Sequence, residues 1–298
     1  MRVGVDIPYF ATPVEIRDYV QATEEMGFDH LGFSEHVAST LDSPFPSPMF
    51  TFDEPWRESF TMGAFVAAIT HRVELNPAMV LLPLYPPVLA AKQAAEVDNL
   101  SGGRLRIAAS VGWNSRECEA LGVDPATRAA RFEEQVDVVR RLWTERAIDH
   151  DGPFFQLRQT GISARPARSI PIWFGGGRME RGAVPSAKSL DRAARLADGF
   201  KFAAPSSLDQ DQQARSIDAL RSAVAAAGRD AHTFGIEVRL IAQATSPADW
   251  PTAIGRARSL GATHLGFSNR IAGGTVDRQL EVLRHFVEAT GDLWAEQD

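Results

Sequence analysis

The sequence predicts a (β/α)8 TIM barrel built as one domain over residues 1–298, and three observations point there. Strand-like and helix-like segments alternate through eight units. The strand-like runs are short and largely apolar, as expected of parallel strands covered on both faces. The length of 298 residues also lies near the ~250 typical of that fold. An open doubly wound sheet is the competing arrangement, but the first strand is not followed by the Gly-rich phosphate fingerprint of that fold.

The elements follow in order. Residues 3–7 give the first strand, residues 14–26 a helix closed by Gly27, and residues 29–33 the second strand. A Pro/Phe/Ser-rich loop (36–58) leads to a helix over 60–70. Val73, Leu75 and the run 79–82 form the third strand. Pro83, Pro86 and Pro87 end it and start a helix, which Ser101-Gly102-Gly103 stops. Residues 104–111 make the fourth strand. Phe132, Val136, Val139 and Trp143 fall on one helical face. After them come a small hairpin at 154–157, the fifth strand at 170–174 and a helix near 186–196. The sixth strand spans 200–203 and its helix 208–227; the seventh spans 234–242 and its helix 248–260. The eighth covers 263–267, and Leu280, Leu283 and Val287 mark the inner face of the last helix.

Barrel active sites lie at the C-terminal ends of the strands. Segments 36–58 and 176–187 follow strands directly and belong there. Segment 146–169 follows a helix, so it starts from the opposite face.

Charge and composition exclude several classes. A net charge of −7 argues against nonspecific nucleic-acid binding, which needs a basic face. No apolar run approaches the ~18 residues of a membrane span. Cys118 is the single cysteine, so no internal disulfide forms, and no signal-peptide pattern opens the chain. These features predict a cytoplasmic protein.

AKQAAEVDNLSGGR (91–104) and SVGWN (110–114), with SEHV (34–37) and EEQVDVVRRLW (133–143), carry a resemblance to a known family. The chain resembles the bacterial-luciferase-like superfamily of flavin- and deazaflavin-dependent oxidoreductases, recognisably over about residues 1–145 and more loosely beyond. Within it the likeness is greatest to the branch that uses coenzyme F420. The resemblance implies a hydride-transferring oxidoreductase with F420 as cofactor, a small organic substrate, and a homodimer formed through helices beside the second and third strands.

His36, at the end of the second strand, would face the barrel mouth, where an imidazole can exchange protons; the resemblance makes it the catalytic acid/base and sets Glu35 beside the ring. The other six histidines read as surface or core residues, with His30 placed at a helix end or loop. The resemblance also implies a ring-supporting bulge with a non-prolyl cis peptide at Met79–Val80. Gly112 permits close backbone approach and, with Val111, would meet the ring and its sugar-like chain. Glu117 would contact the cofactor's side arm; its other reading is a solvated helix residue. Gly175, Gly176 and Gly177 allow a turn whose amides face a phosphate, with Arg178 adding charge. Trp113 stands where sugar-oxidising relatives carry a glutamate, which argues against sugar-phosphate oxidation. Phe45, Phe50, Phe52 and Trp56 would line an apolar lid, suiting a hydrophobic substrate.

Three alternatives stay open. One is an FMN-dependent monooxygenase. Another is a Schiff-base lyase using Lys201, since a lysine desolvated in a barrel can attack a carbonyl. The third is a barrel that binds flavin without catalysis. No metal site is expected.

Overall fold

The computed structural model describes residues 1–10, 12–39, 55–177, 184–202, 210–269 and 274–294. Its strands are β1 (Arg2–Asp6), β2 (His30–Phe33), β3 (Glu74–Val80), β4 (Ile107–Ala109), β5 (Ile148–Asp151), β6 (Gln156–Thr160), β7 (Ile172–Gly176), β8 (Gly199–Phe202), β9 (Gly235–Ile241) and β10 (His264–Ser268). Its helices are α1 (Pro13–Glu25), α2 (Ser59–Ile69), α3 (Pro87–Leu100), α4 (Ser115–Ala120), α5 (Arg128–Thr144), α6 (Ala187–Leu196), α7 (Gln210–Ala226), α8 (Trp250–Ser259) and α9 (Val276–Thr290). Eight strands close into a barrel in the order β1, β10, β9, β8, β7, β4, β3, β2, and every pair in it is parallel. The predicted barrel is therefore the observed one.

Local chemistry explains the boundaries. Thr12 and Glu15 cap α1 reciprocally, each side chain accepting the other's backbone N–H, and Pro13 supplies a preset first turn. Pro87 opens α3, and Gly102 and Gly103 leave it at φ +71° and +85°. β4 is shorter than predicted, with only an isolated bridge, Leu75 to Leu105, before it. The hairpin expected at 154–157 is longer and starts earlier: its strands are β5 and β6, and Phe154 and Phe155 lie in the turn between them. Glu134 of α5 grips it, accepting both backbone N–H groups and contacting His150 at 2.9 Å.

The strands alternate between two environments. Val3, Val5, Leu31, Phe33, Ile172, Phe174, Phe200, Phe202, Leu265 and Phe267 are buried in the apolar core. Their neighbours in sequence meet one another instead, and they are polar, aromatic or glycine. Glu237 is fully buried and lies 2.7 Å from Lys201 Nζ, 3.0 Å from Arg106 and 3.7 Å from His30. Arg106 also pairs with Glu74 at 2.5 Å and lies over the Trp173 ring at 4.2 Å. Asp6 pairs with Arg239 at 2.6 Å. Three acids (Asp6, Glu74, Glu237) balance three bases (Arg106, Lys201, Arg239), which is how buried charge is tolerated. Glycines make the room: a Cβ at Gly4 would lie 2.2 Å from the His30 ring, and one at Gly235 2.0 Å from Trp173.

This corrects two expectations. His30 is not a helix-end or loop residue: it opens β2 and is 1% exposed inside the barrel. The strands are not apolar on both faces, because a closed barrel of this kind can bury salt-bridged side chains in its lumen.

Candidate active site

The C-terminal ends of β3, β4 and β7 lie side by side in the barrel. Before those ends, Ile107, Ala108, Ala109, Ile172, Trp173 and Phe174 are all buried. At the ends themselves, Met79, Ser110, Val111, Gly112, Trp113, Gly175, Gly176 and Gly177 are all half-buried. They form a continuous platform at the mouth, poor in bulky side chains except at Met79 and Trp113.

Met79 belongs to an irregularity in β3. The ladder to β4 shifts register between Ala78 and Val80, and the non-prolyl cis peptide lies at Ala78–Met79. The expected position, Met79–Val80, is one residue too late. Met79 reaches over Gly175, where a Cβ would come within 1.1 Å of its Cε. Val80 is fully buried in the apolar core, so of that pair only Met79 offers its side chain to the mouth. Gly112 has φ +75° and Gly177 φ +127°, which favour glycine. A Cβ at Gly176 would crowd Ser189 and Phe200 at 2.9 and 3.0 Å. Arg178 lies outside the described residues, as do Phe45, Phe50 and Phe52 of the predicted lid.

His36 stands beside this platform, just past β2. Its imidazole meets Trp56 and Trp113 edge-on, with centroids 4.8 and 5.6 Å away, and Trp56 in turn contacts Tyr9 at 4.1 Å. His36 Nδ1 is 2.9 Å from Glu117 Oε2. The other carboxylate oxygen of Glu117 accepts from the Val37 and Ala38 N–H groups at 2.7 and 3.1 Å. Glu117 is 1% exposed, so the solvated-helix reading is excluded. Both its oxygens are directed at the segment after β2.

Glu35 turns the other way. Its carboxyl accepts from the Leu81 N–H at 2.7 Å, the Ser59 N–H at 3.0 Å and the Tyr85 hydroxyl at 2.8 Å. It thereby ties the end of β3 to the start of α2. Burial pushes this carboxyl above its usual range, and the three donors oppose that rise. The Tyr85 hydroxyl also lies 3.0 Å from Glu58 Oε1, so its single hydrogen is shared between the two carboxyl groups. Its phenol is raised well above the ordinary value by burial and by the two facing carboxyl groups.

Lys201 sits below the mouth, 9% exposed at its side chain, held by Glu237 at 2.7 Å and 3.9 Å from Asp6. Sequence reasoning missed this polar lumen, although Glu237 and Arg239 alternate with apolar residues in β9. It also missed α4. Asn114 followed by Glu117 is a helix-start signature, and Asn114 does accept from the Arg116 and Glu117 N–H groups.

Among the described residues, no helix is long and apolar enough to cross a membrane. The family model for luciferase-like monooxygenases matches residues 1–296. The chain is 32% identical over 183 residues to pyrimidine monooxygenase RutA of Allorhizobium ampelinum, covering 59% of this chain and 47% of that protein. It thus spans about half the length of that relative. It is 30% identical over 253 residues to an uncharacterized protein of Mycobacterium tuberculosis, covering 84% of this chain and 79% of the other. Among solved structures, it shares its fold with an F420-dependent secondary alcohol dehydrogenase in complex with an F420-acetone adduct. That match has a TM-score of 0.75 at 16% identity, over 96% of this chain and 98% of that one. The chain belongs to the luciferase-like monooxygenase family and is an oxidoreductase.

Proposed function

We propose that this protein is a coenzyme F420-dependent oxidoreductase acting on a small, hydrophobic organic substrate. The observation that carries the reading is the platform at the ends of β3, β4 and β7, flanked by His36. Its residues fit a flat tricyclic ring with a phosphate-bearing arm. Met79 would support the ring from below, and Val111 and Gly112 would lie along it. The half-buried turn Gly175, Gly176 and Gly177 would lie where a phosphate arm passes, with backbone amides as its donors. When bound, the reduced deazaflavin supplies a hydride to an electrophilic carbon of the substrate.

The chain's own groups do the rest. Trp56 and Trp113 provide an apolar wall that excludes water and suits a hydrophobic substrate. The His36 imidazole holds or delivers the proton that accompanies hydride transfer at a carbonyl or alcohol oxygen. Glu35 keeps the end of β3, and hence Met79, in place. Lys201 keeps its ion pair with Glu237, which argues against the Schiff-base reading. The protein would act as a single-domain cytoplasmic homodimer.

A second reading, an FMN-dependent monooxygenase, is favoured by the family description and by the likeness to RutA. Titration decides between them. The first reading expects quenching of deazaflavin fluorescence on addition of protein, with no response from FMN. FMN binding with oxygen uptake and no deazaflavin response would overturn it. Binding without turnover, unaffected by His36→Ala, would mark a non-catalytic barrel.

A further inference from the structure

We infer that Glu117 is the positioning residue of this site: it fixes the His36 imidazole with the proton on Nδ1 and makes Nε2 the atom that exchanges protons. This rests on the reading of His36 as acid/base, and it differs from the expectation that Glu117 meets a cofactor arm. A carboxylate only accepts hydrogen bonds. With Oε2 at 2.9 Å from His36 Nδ1, the nitrogen of that pair must carry the hydrogen. The second oxygen is taken by the Val37 and Ala38 N–H groups and the residue is 1% exposed, so Glu117 is committed to the segment that carries His36.

Two further features hold the arrangement. Asn114 caps α4 and places Glu117 in its first turn, so the carboxylate approaches His36 from a fixed backbone. Trp56 and Trp113 meet the imidazole at interplanar angles of 88° and 70°. Their edge-on packing opposes a ring flip, which would put Cδ2 in place of Nδ1 opposite Glu117. A partner on one ring nitrogen sets the chemistry of the other. An imidazole held this way presents one defined nitrogen to the substrate and needs no reorientation during turnover.

The test has two arms. In the first, ¹⁵N-histidine-labelled protein without cofactor is examined by NMR, with His36→Gln identifying the resonances. At a pH high enough to leave the ring neutral, the expected signature is a protonated Nδ1 and an unprotonated Nε2, converting to a mixture or to the opposite tautomer in Glu117→Gln. In the second arm, Glu117→Gln lowers kcat by about 10²-fold, within the range for loss of general acid–base assistance. Its KM and deazaflavin Kd stay within about twofold of the parent, and Glu117→Asp recovers part of kcat while restoring the tautomer.

A neutral wild-type His36 protonated at Nε2 and not at Nδ1 would overturn the inference. So would a Glu117→Gln protein whose tautomer is unchanged while deazaflavin affinity collapses. Should Glu117→Gln fail to fold, the wild-type signature and Glu117→Asp decide. The NMR arm needs no cofactor, so failure of the deazaflavin reading shows in the titration and leaves the tautomer result legible.

Discussion

Met79 and Gly175 interlock across the barrel mouth: the methionine methyl occupies the space a side chain on residue 175 would fill, 1.1 Å from that Cβ position. Gly175→Ala must therefore displace the end of the Met79 side chain. The atom that yields is the far end of a flexible side chain, so unfolding free energy should fall by about 1 kcal/mol, the low end for overpacking. Affinity for the ring cofactor should drop about tenfold. Urea unfolding beside a fluorescence titration checks both, and unchanged affinity would show that Met79 does not underlie the ring.

Glu35 gives the molecule a sensitivity to alkali. Its folded carboxyl lies above the ordinary 4.5 because of burial. Its contribution to stability is present below 4.5 and is lost as pH rises through the folded value. Glu35→Gln cannot ionise. Its unfolding free energy should therefore gain on that of the parent as pH rises from 5 to 8. A parallel pair of curves would refute this assignment.

His264 does the reverse on the acid side. Burial first, then Arg106 and His30, lower its imidazole from 6.5 to about 2. The unfolded chain takes up this proton below pH 6.5 and the folded chain does not, so stability is full above 6.5 and falls as pH drops toward 2. The slope from this one group approaches about 1.4 kcal/mol per pH unit. His264→Asn should flatten the pH dependence of unfolding between 6.5 and 5, measurable by denaturant titration at fixed pH values.

Glu237 is the hub of the barrel lumen. Its carboxyl stays well below 4.5: burial opposes this, but Lys201, Arg106 and His30 outweigh it. Its stabilisation is present above 4.5 and is lost as pH falls through the folded value. Glu237→Gln strips Lys201 and Arg106 of a shared partner and should cost about 3–5 kcal/mol, the range for breaking a buried ion pair. Loss of less than 1 kcal/mol in urea unfolding would mean the lumen relaxes around the change.

The sequence by itself determined the barrel. Strand–helix alternation, the proline and glycine stops around α3 and the apolar runs suffice, because these signals act within a few residues of one another. It also placed His36, Met79, Gly112 and the Gly175–Gly177 turn at strand ends, where the fold puts its chemistry. Only the tertiary structure decided which groups meet. Glu117 reaches His36 across 81 positions, Asn76 reaches Glu237 across 161, and Glu35 points away from the residue beside it. The physical reason is that alternation along a strand fixes which face a side chain occupies. Its partner across the lumen depends on the register in which eight distant strands close, and no local pattern encodes that.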